Sequence, residues 1–483
     1  MTADRHGEGP AAPQSPDDAG EAASAGFTLA GSDADRDHVR DPEVGDSLRT
    51  DDGPGTARTR PVPLRHNRDF LLLWTGQAAS AVGSSAASIA YPLLALSATG
   101  SAAQAGTVGF AALAATTLVR FPAGALADRY PLKPLMIGPD LVRAAATTAI
   151  VVAVVTDRVT LVLLVVAAVL GAAAGAVSDS AQTVAVRHVV PSRQLPTALA
   201  QNEARGHLAS LTGQPAGGYL YALGTALPVL ADALSYLASA VLSGLIRRPL
   251  STPGTRADPN KPTVTADPSA EASPVSRRRN SIWRDIPVGL RHLWRTPFLR
   301  TSMLCATGIN VVFAGLSLTI IASQTTHGTA ASQLGVAFSM GALGGILGAW
   351  TSTRVQRWLS PAALIYCFGW NTTFALIALG HTHNTYLIGA MLATVYFTAT
   401  PANAMLFATQ IHVTPPQLQG RVISAAMLTA GIAAPIGPLL GGLLLDRFGQ
   451  ATAFAVFAAI VATMTATMHL STSIRTMRAP GTS

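Results

Sequence analysis

Residues 104–155 read QAGTVGFAALAATTLVRFPAGALADRYPLKPLMIGPDLVRAAATTAIVVAVV. Two apolar runs, 104–126 and 134–155, stand on either side of a short turn that holds Asp128, Arg129 and Lys133. A helix rises about 1.5 Å per residue, so each run is long enough to cross a hydrocarbon layer about 30 Å thick. The pattern repeats outward in both directions. Upstream lies a run at 70–96; downstream lie runs at 159–182, 197–222 and 226–246. After a polar break at 247–299 come 300–323, 333–352, 361–380, 384–408, 421–445 and 449–470. The expected fold is all-α and integral to the membrane, with twelve transmembrane helices set as two groups of six.

Composition agrees. Only 12% of the 483 residues are charged and 49% are apolar, whereas a soluble domain carries about 25% charged residues. Residues 1–68 hold 13 of the 25 acids, so the rest of the chain is nearly charge-free over long stretches. This excludes an ordinary soluble enzyme. The net charge of +8 needs no nucleic-acid partner, because cytoplasmic loops gather Lys and Arg. One set of loops carries Asp128, Arg129 and Lys133, then Arg187 and Arg193, Arg247 and Arg248, Arg277 to Arg279, Arg354 and Arg357, and Arg421. The alternate loops hold Arg158 and Arg447, each beside an acid, Asp157 or Asp446. The positive-inside rule therefore predicts that the first set and both termini are cytoplasmic.

The expected organisation is a disordered tail over 1–66, a six-helix bundle over 67–248, a linker over 249–299, a second bundle over 300–470 and a tail over 471–483. The first tail is rich in Gly, Ala, Pro, Asp, Ser and Arg and buries too little apolar surface to fold. In the linker, IWRDIPVGLRHLWRTPFL at 282–299 spaces Ile282, Trp283, Ile286, Leu290, Leu293 and Trp294 as an amphipathic helix lying on the inner face. The halves also repeat. VVPSRQL at 189–195 resembles VTPPQL at 413–418, and QPAGG at 214–218 resembles GPLLGG at 437–442. Leu195 to Leu418 and Pro215 to Pro438 share one offset, as expected of parallel repeats. Cys305 and Cys367 fall in different apolar stretches outside any metal or redox spacing, and read as packing residues.

GALADRYPLKP at 124–134 resembles the cytoplasmic loop motif of the major facilitator superfamily, matching it at Gly124, Asp128, Arg129 and Lys133. Pro131 and Leu132 depart from it. RDFLLLWTGQAASAVG at 68–83, LPVLADALSYLAS at 227–239 and LQGRVISA at 418–425 resemble the drug-exporter branch that includes macrolide and enterobactin exporters. The resemblance covers roughly residues 65–470. It implies a gate in which Asp128 sits at the N-terminus of the eleventh span, where a helix dipole favours an anion. It also makes GQPAGG at 213–218 similar to an antiporter motif, with Gln214 interrupting it. Packing alone would also select Gly213, Pro215, Gly217, Gly218, Gly437, Pro438, Gly441 and Gly442, since Pro kinks a helix and small residues let helices approach.

A charge inside a span costs on the order of 2.5–3.5 kcal/mol and defaults to a functional hypothesis. Arg120, Asp140, Arg143, Glu203 and Arg205 lie near the cytoplasmic ends of their spans, where an inner-gate network is the expectation. Asp232 stands about six residues into the sixth span from the outer side. An isolated carboxyl there suits proton coupling, with Glu203 as the second candidate. The competing reading is a structural Asp bonded to Ser235 or a neighbouring helix. Phe313, Phe338, Trp370, Tyr91, Met303, Met340 and Met427 are candidates for a greasy pocket.

The leading expectation is a proton-coupled efflux transporter in the plasma membrane, working by alternating access as a monomer. Its partners would be a lipophilic small molecule, protons and the lipid bilayer, with no nucleic acid, cofactor or metal. Nutrient uptake and a non-transporting sensor are the alternatives. An intramembrane enzyme would need a cluster such as H-E-x-x-H, and ATP-driven transport a P-loop; the sequence contains neither.

Overall fold

A computed structural model describes residues 66–191, 194–247, 290–416 and 418–471. The expected tail through residue 65, most of the linker (248–289) and residues 472–483 lie outside the described residues.

Within them the chain is helical with no strand. The first six helices are α1 (Arg68–Thr99), α2 (Ala102–Arg129), α3 (Leu132–Val155), α4 (Leu161–Val189), α5 (Leu195–Leu223) and α6 (Leu227–Gly244). The second set is α7 (Pro297–Thr326), α8 (Ala331–Trp358), α9 (Pro361–Leu379), α10 (Thr385–Val413), α11 (Gln419–Ile432) and α12 (Ile436–Leu470). Polar caps start several of them. Asn67 accepts from Phe70 N, Ser101 from Gln104 N and Ser360 from Ala363 N, each at 3.2 Å. Such caps are worth about 1 kcal/mol each and answer amides that the first turn leaves unpaired.

Ten stretches are long and apolar enough to cross a membrane. Two features separate that number from the twelve runs read in the sequence. The fifth run, α5, carries Glu203, Arg205 and His207 and is less apolar. The last two runs form one stretch, Gln419–Leu470, which turns at Gly449, whose φ of 77° lies in the left-handed region that glycine adopts without strain. A Cβ added at Gly315 of α7 would meet Gly437 on one side and Phe457 on the other. The chain therefore passes that level once before Gly449 and once after it. Gln450 fixes the turn by donating to the Leu379 and Thr382 carbonyls at 2.8 and 3.1 Å.

The run expected as one helix over 421–445 is broken between α11 and α12. Pro435 has no N–H to give and Pro438 follows it, so the α-helical ladder fails there. Three-residue bonds bridge the gap, Ile436 N to Ala433 O and Gly437 N to Ala434 O, both 3.0 Å.

The halves repeat in their packing. In the first, α1 lies against α5 and α6, α2 against α4, and α3 against α4 and α6. In the second, α7 lies against α11 and α12, α8 against α10, and α9 against α10 and α12. Across the halves α5 meets α8 and α2 meets α12, which are equivalent pairs under the repeat. Pro215 of α5 packs on Gly335 of α8, and Pro438 of α12 on Gly106 and Gly109 of α2. The close approach needs glycine: a Cβ at Gly217 would overlap the Ala86 carbonyl of α1, and one at Gly442 the Ala102 carbonyl of α2.

The two ends of the molecule differ. At one end Asp446 joins the halves. It accepts from Ser101 Oγ at 2.6 Å and from the Ala102 and Ala103 amides at 2.9 Å each. At the other end, Asp128 is exposed and makes no hydrogen bond or ion pair among the described residues.

Of the expected amphipathic helix, residues 290–295 are described and helical. Leu293 is buried with Phe298, Leu299, Ile365, Val422 and Met468, while Trp294 is exposed. The visible part thus packs one face on the second bundle.

Candidate functional site

The sixth helix supplies the centre. Its buried positions include Asp232, Tyr236, Ser239 and Ser243, a polar stripe at helical spacing turned inward. Asp232 is 0% exposed. Its carboxylate accepts from two hydroxyls of α1, Ser84 Oγ at 3.2 Å and Tyr91 OH at 3.0 Å. Ser235 Oγ donates to the Asp232 backbone carbonyl, 2.7 Å, so the carboxylate itself is held by the neighbouring helix.

From there hydrogen bonds run to α3. Ser84 Oγ lies 2.9 Å from Tyr236 OH, and Arg143 Nη2 donates to Tyr236 OH at 2.7 Å and to Ser84 Oγ at 3.4 Å. The Arg143 guanidinium also lies over a tyrosine face, 3.8 Å from the Tyr236 ring centre, where the ring's negative face attracts a cation. A buried charge survives only with such partners.

Asp140 forms a second node. It is also 0% exposed and accepts from Ser178 Oγ of α4 at 3.0 Å and Ser239 Oγ of α6 at 2.7 Å. Its ion pair with Arg143 is long, 3.9 Å between Oδ1 and Nη1. Arg143 was expected among the inner-gate charges; the structure brings it to the group around Asp232, through Tyr236 and Ser84.

The remaining expected charges spread out. Arg205 of α5 donates to the Gln77 side-chain oxygen of α1. Arg120 on α2 is exposed. Both, with Arg143, act electrostatically on Asp179 of α4. The Glu203 side chain lies outside the described residues. Lys133 Nζ reaches the Gly244 carbonyl at 3.4 Å. Asp128 and Arg129 are exposed, and among the described residues Asp128 makes no hydrogen bond or ion pair. Of the helix-kink residues, Pro215, Gly218, Pro438 and Gly442 pack on the other half, whereas Gly213 and Gly217 pack on α1 and Gly437 and Gly441 on α7.

Sequence reasoning missed Asp179, Tyr236, Ser84, Ser178 and Ser239. Asp179 carried the same signal as Asp140, an acid inside an apolar run. The other four are ordinary in spans one at a time. The helical spacing of Asp232, Tyr236, Ser239 and Ser243 is the signal that could have found the inward stripe on α6.

A cavity of about 600 Å³ opens between the halves, beside this network. Its wall is mostly apolar: Val108, Leu113, Ile150, Leu164, Phe313 and Leu318 contribute, and Pro438 crosses from the second half. Arg143, Tyr236, Tyr91, Thr147, Ser88 and Ser317 add polar atoms. Of the greasy-pocket candidates, Phe313 and Tyr91 line it; Met303 and Phe338 are buried in the second bundle, and Met427 is exposed. A volume in the range of about 300–1,000 Å³ with few polar groups is typical of small-molecule sites.

Comparison with known proteins places this geometry. The profile of the Major Facilitator Superfamily matches residues 73–438. Macrolide efflux protein A of Streptococcus pyogenes is 23% identical over 390 residues, 79% of this chain and 90% of its own length. The multidrug efflux pump Tap of Mycolicibacterium fortuitum is 27% identical over 396 residues, 80% of this chain and 91% of its own. Among solved structures, a bacterial homologue of the human lysosomal transporter Spinster, inward-facing and unoccupied, is similar with a TM-score of 0.63 at 14% identity, covering 85% of this chain and 96% of that one. The nucleoside transporter NupG gives 0.62 at 13% identity, with 86% and 100% covered. At such identities the structural likeness speaks for the fold alone.

Proposed function

The chain belongs to the major facilitator superfamily, a multi-pass membrane transporter, and on that premise we propose that it is a proton-coupled exporter of a lipophilic small molecule from the cell. The observation that carries the reading is a buried carboxylate, Asp232, linked by hydroxyls to an apolar cavity between the halves. The likeness to two efflux proteins supports the direction of transport and a plasma-membrane location.

Alternating access follows from the two ends. The halves are joined through Asp446, whereas Asp128 makes no hydrogen bond or ion pair among the described residues. With the loops bearing the arginines inside, this is an inward-open state that admits cargo from the cytoplasm or inner leaflet. The motif of Gly124, Asp128, Arg129 and Lys133 closes that side in the other state. Inner-side charges, Arg120, Asp140 and Arg205 among them, brace the moving ends.

Coupling runs through Asp232. Its two oxygens accept from Ser84 and Tyr91, and Ser84 and Tyr236 continue the chain of hydroxyls to the cavity wall. Protonation turns one carboxyl oxygen into a donor, so the hydroxyls must reorient and the tie to Arg143 through Tyr236 changes. Cargo in the cavity and a proton on Asp232 therefore bear on the same residues, and one proton moves inward as one cargo molecule moves out.

The test is transport by the full chain in proteoliposomes under an imposed pH gradient, with a fluorescent lipophilic cargo. Uphill accumulation should collapse when an uncoupler is added, and Asp232→Asn should bind cargo without concentrating it. Accumulation that survives the uncoupler would refute proton coupling. Uphill transport by Asp232→Asn would move the coupling role to Glu203.

A further inference from the structure

The charge that the cavity presents is positive. Asp232 and Asp140 lie behind its wall, each 0% exposed, with their oxygens occupied by Ser84, Tyr91, Ser178 and Ser239. Arg143 is the ionised side chain in the wall itself, and its side chain keeps 16% of its exposure. Only Nη2 is engaged in hydrogen bonds, to Tyr236 and Ser84. Nη1 stands 3.9 Å from the nearest Asp140 oxygen, beyond hydrogen-bond reach, and Nε makes no hydrogen bond among the described residues. A guanidinium holds five donors in a planar fork suited to a carboxylate.

We propose that the cargo is a lipophilic acid, an apolar body filling the cavity and a single carboxylate engaging the free edge of Arg143. The inference rests on the reading of the cavity as the transport site and makes Arg143 the residue that sets specificity. A lipophilic cation entering the same cavity meets a like charge, with Asp140 and Asp232 shielded by hydroxyls and Asp179, the third acid acting on Arg143, absent from the cavity lining. A neutral molecule gains the apolar contacts without the ion pair. The cargo's carboxylate and Asp232 also answer to one guanidinium, the former directly and the latter through Ser84 and Tyr236. Binding of the acid is thus easiest when Asp232 carries a proton, which ties recognition to coupling without a cavity-facing acid.

Two probes of one shape decide it: pyrenebutyrate and pyrenebutylamine, measured by fluorescence on the purified full-length protein in detergent. The native protein should bind the acid about ten- to a hundredfold more tightly than the amine, the range expected of a charge-assisted hydrogen bond. Arg143→Gln should erase that preference, weakening the acid while leaving the amine unchanged or improved, and Arg143→Lys should restore part of it. The comparison in the native protein needs no variant to fold. Equal binding of both probes, tighter binding of the amine, no binding of either, or full acid affinity in a folded Arg143→Gln would each overturn the proposal. A parallel flux assay in proteoliposomes separates the two readings. Arg143-dependent binding of the acid without its transport would count against an exporter and leave the site standing. Transport of the amine without acid preference would do the reverse.

Discussion

The two bundles share one packing plan and differ in what they bury. In α1 to α6 the buried polar side chains bond across helices: Ser84 and Tyr91 to Asp232, Ser178 and Ser239 to Asp140, Arg143 to Tyr236. In α7 to α12 they mostly bond back to their own helix one turn earlier, as Thr319 does to Gly315, Thr373 to Gly369, Thr409 to Met405 and Thr465 to Val461. No charged side chain is buried among the described residues of the second bundle. Its centre is apolar and aromatic instead, with Phe454 and Phe457 in a cluster with Val312, Leu316 and Leu376, and Phe313 near Tyr396 at 5.9 Å between ring centres. A duplicated frame has put its titratable chemistry in one copy and left the other as a packed wall. A hydroxyl bonded to its own helix constrains nothing beyond that helix, whereas a cross-helix network fixes how three or four helices stand together.

The largest expected effect breaks the comparison by attacking the frame where the halves are alike. Gly217→Leu and Gly441→Leu should each remove most folded protein, because a side chain there strikes Ala86 of α1 or Thr319 of α7, and even modest overpacking costs about 1–3 kcal/mol. Yield and monodispersity in detergent are the readout; a tolerated Leu at one site alone would show that the two bundles are not equally tight. Next comes the chemistry. Asp232→Asn should lower uphill transport at least about tenfold, equivalent to about 1.4 kcal/mol, at unchanged expression. By contrast Thr465→Val in the apolar bundle should change transport by less than about twofold, since it removes a bond within one helix and keeps the shape of the buried side chain. Equal losses in the two variants would erase the distinction between the halves. A smaller effect is conformational. Asp446→Ala should shift the population toward the state open at that end by about fivefold, the worth of a helix cap of about 1 kcal/mol, read as spin-label distances across the Asp446 end. Unchanged distances would mean that the glycine and proline contacts hold that end alone.

Much of the fold was legible because a membrane leaves few options to an apolar run of this length. The loops at Asp128 and Arg421, the break before residue 300 and the repeat at Pro215 and Pro438 all fell where helices end or meet. The split of the eleventh run at Pro435 was only half visible. Pro438 announced a kink, but the position of the break depends on which carbonyls lose their donors. The site was less legible. Asp232 and Arg143 stood out as charges in apolar runs, yet their joining through Ser84 and Tyr236 is a fact of tertiary packing. Serine and tyrosine on a span carry no mark that says whether they bond their own helix or the next.

The clamp at Asp446 has a consequence for the energetics of rocking. α2 runs from the Asp446 end to the Asp128 end, and the span formed by α11 and the first part of α12 runs back between the same two ends. Each of these antiparallel helices carries an aspartate at its C-terminal end, Asp446 or Asp128, and Asp446 lies where α2 begins. Asp446 serves the first amides of α2; under the proposed gate Asp128 would do the same for α11 when that end closes. On that proposal the pair would behave as a seesaw with a matching latch on each arm. Releasing one latch while the other engages exchanges like for like, so the balance between the two tilts is governed by a small difference between caps of about 1 kcal/mol each. A pivot so nearly level would leave the direction of each swing to the cargo and, on the proposed coupling, to the proton.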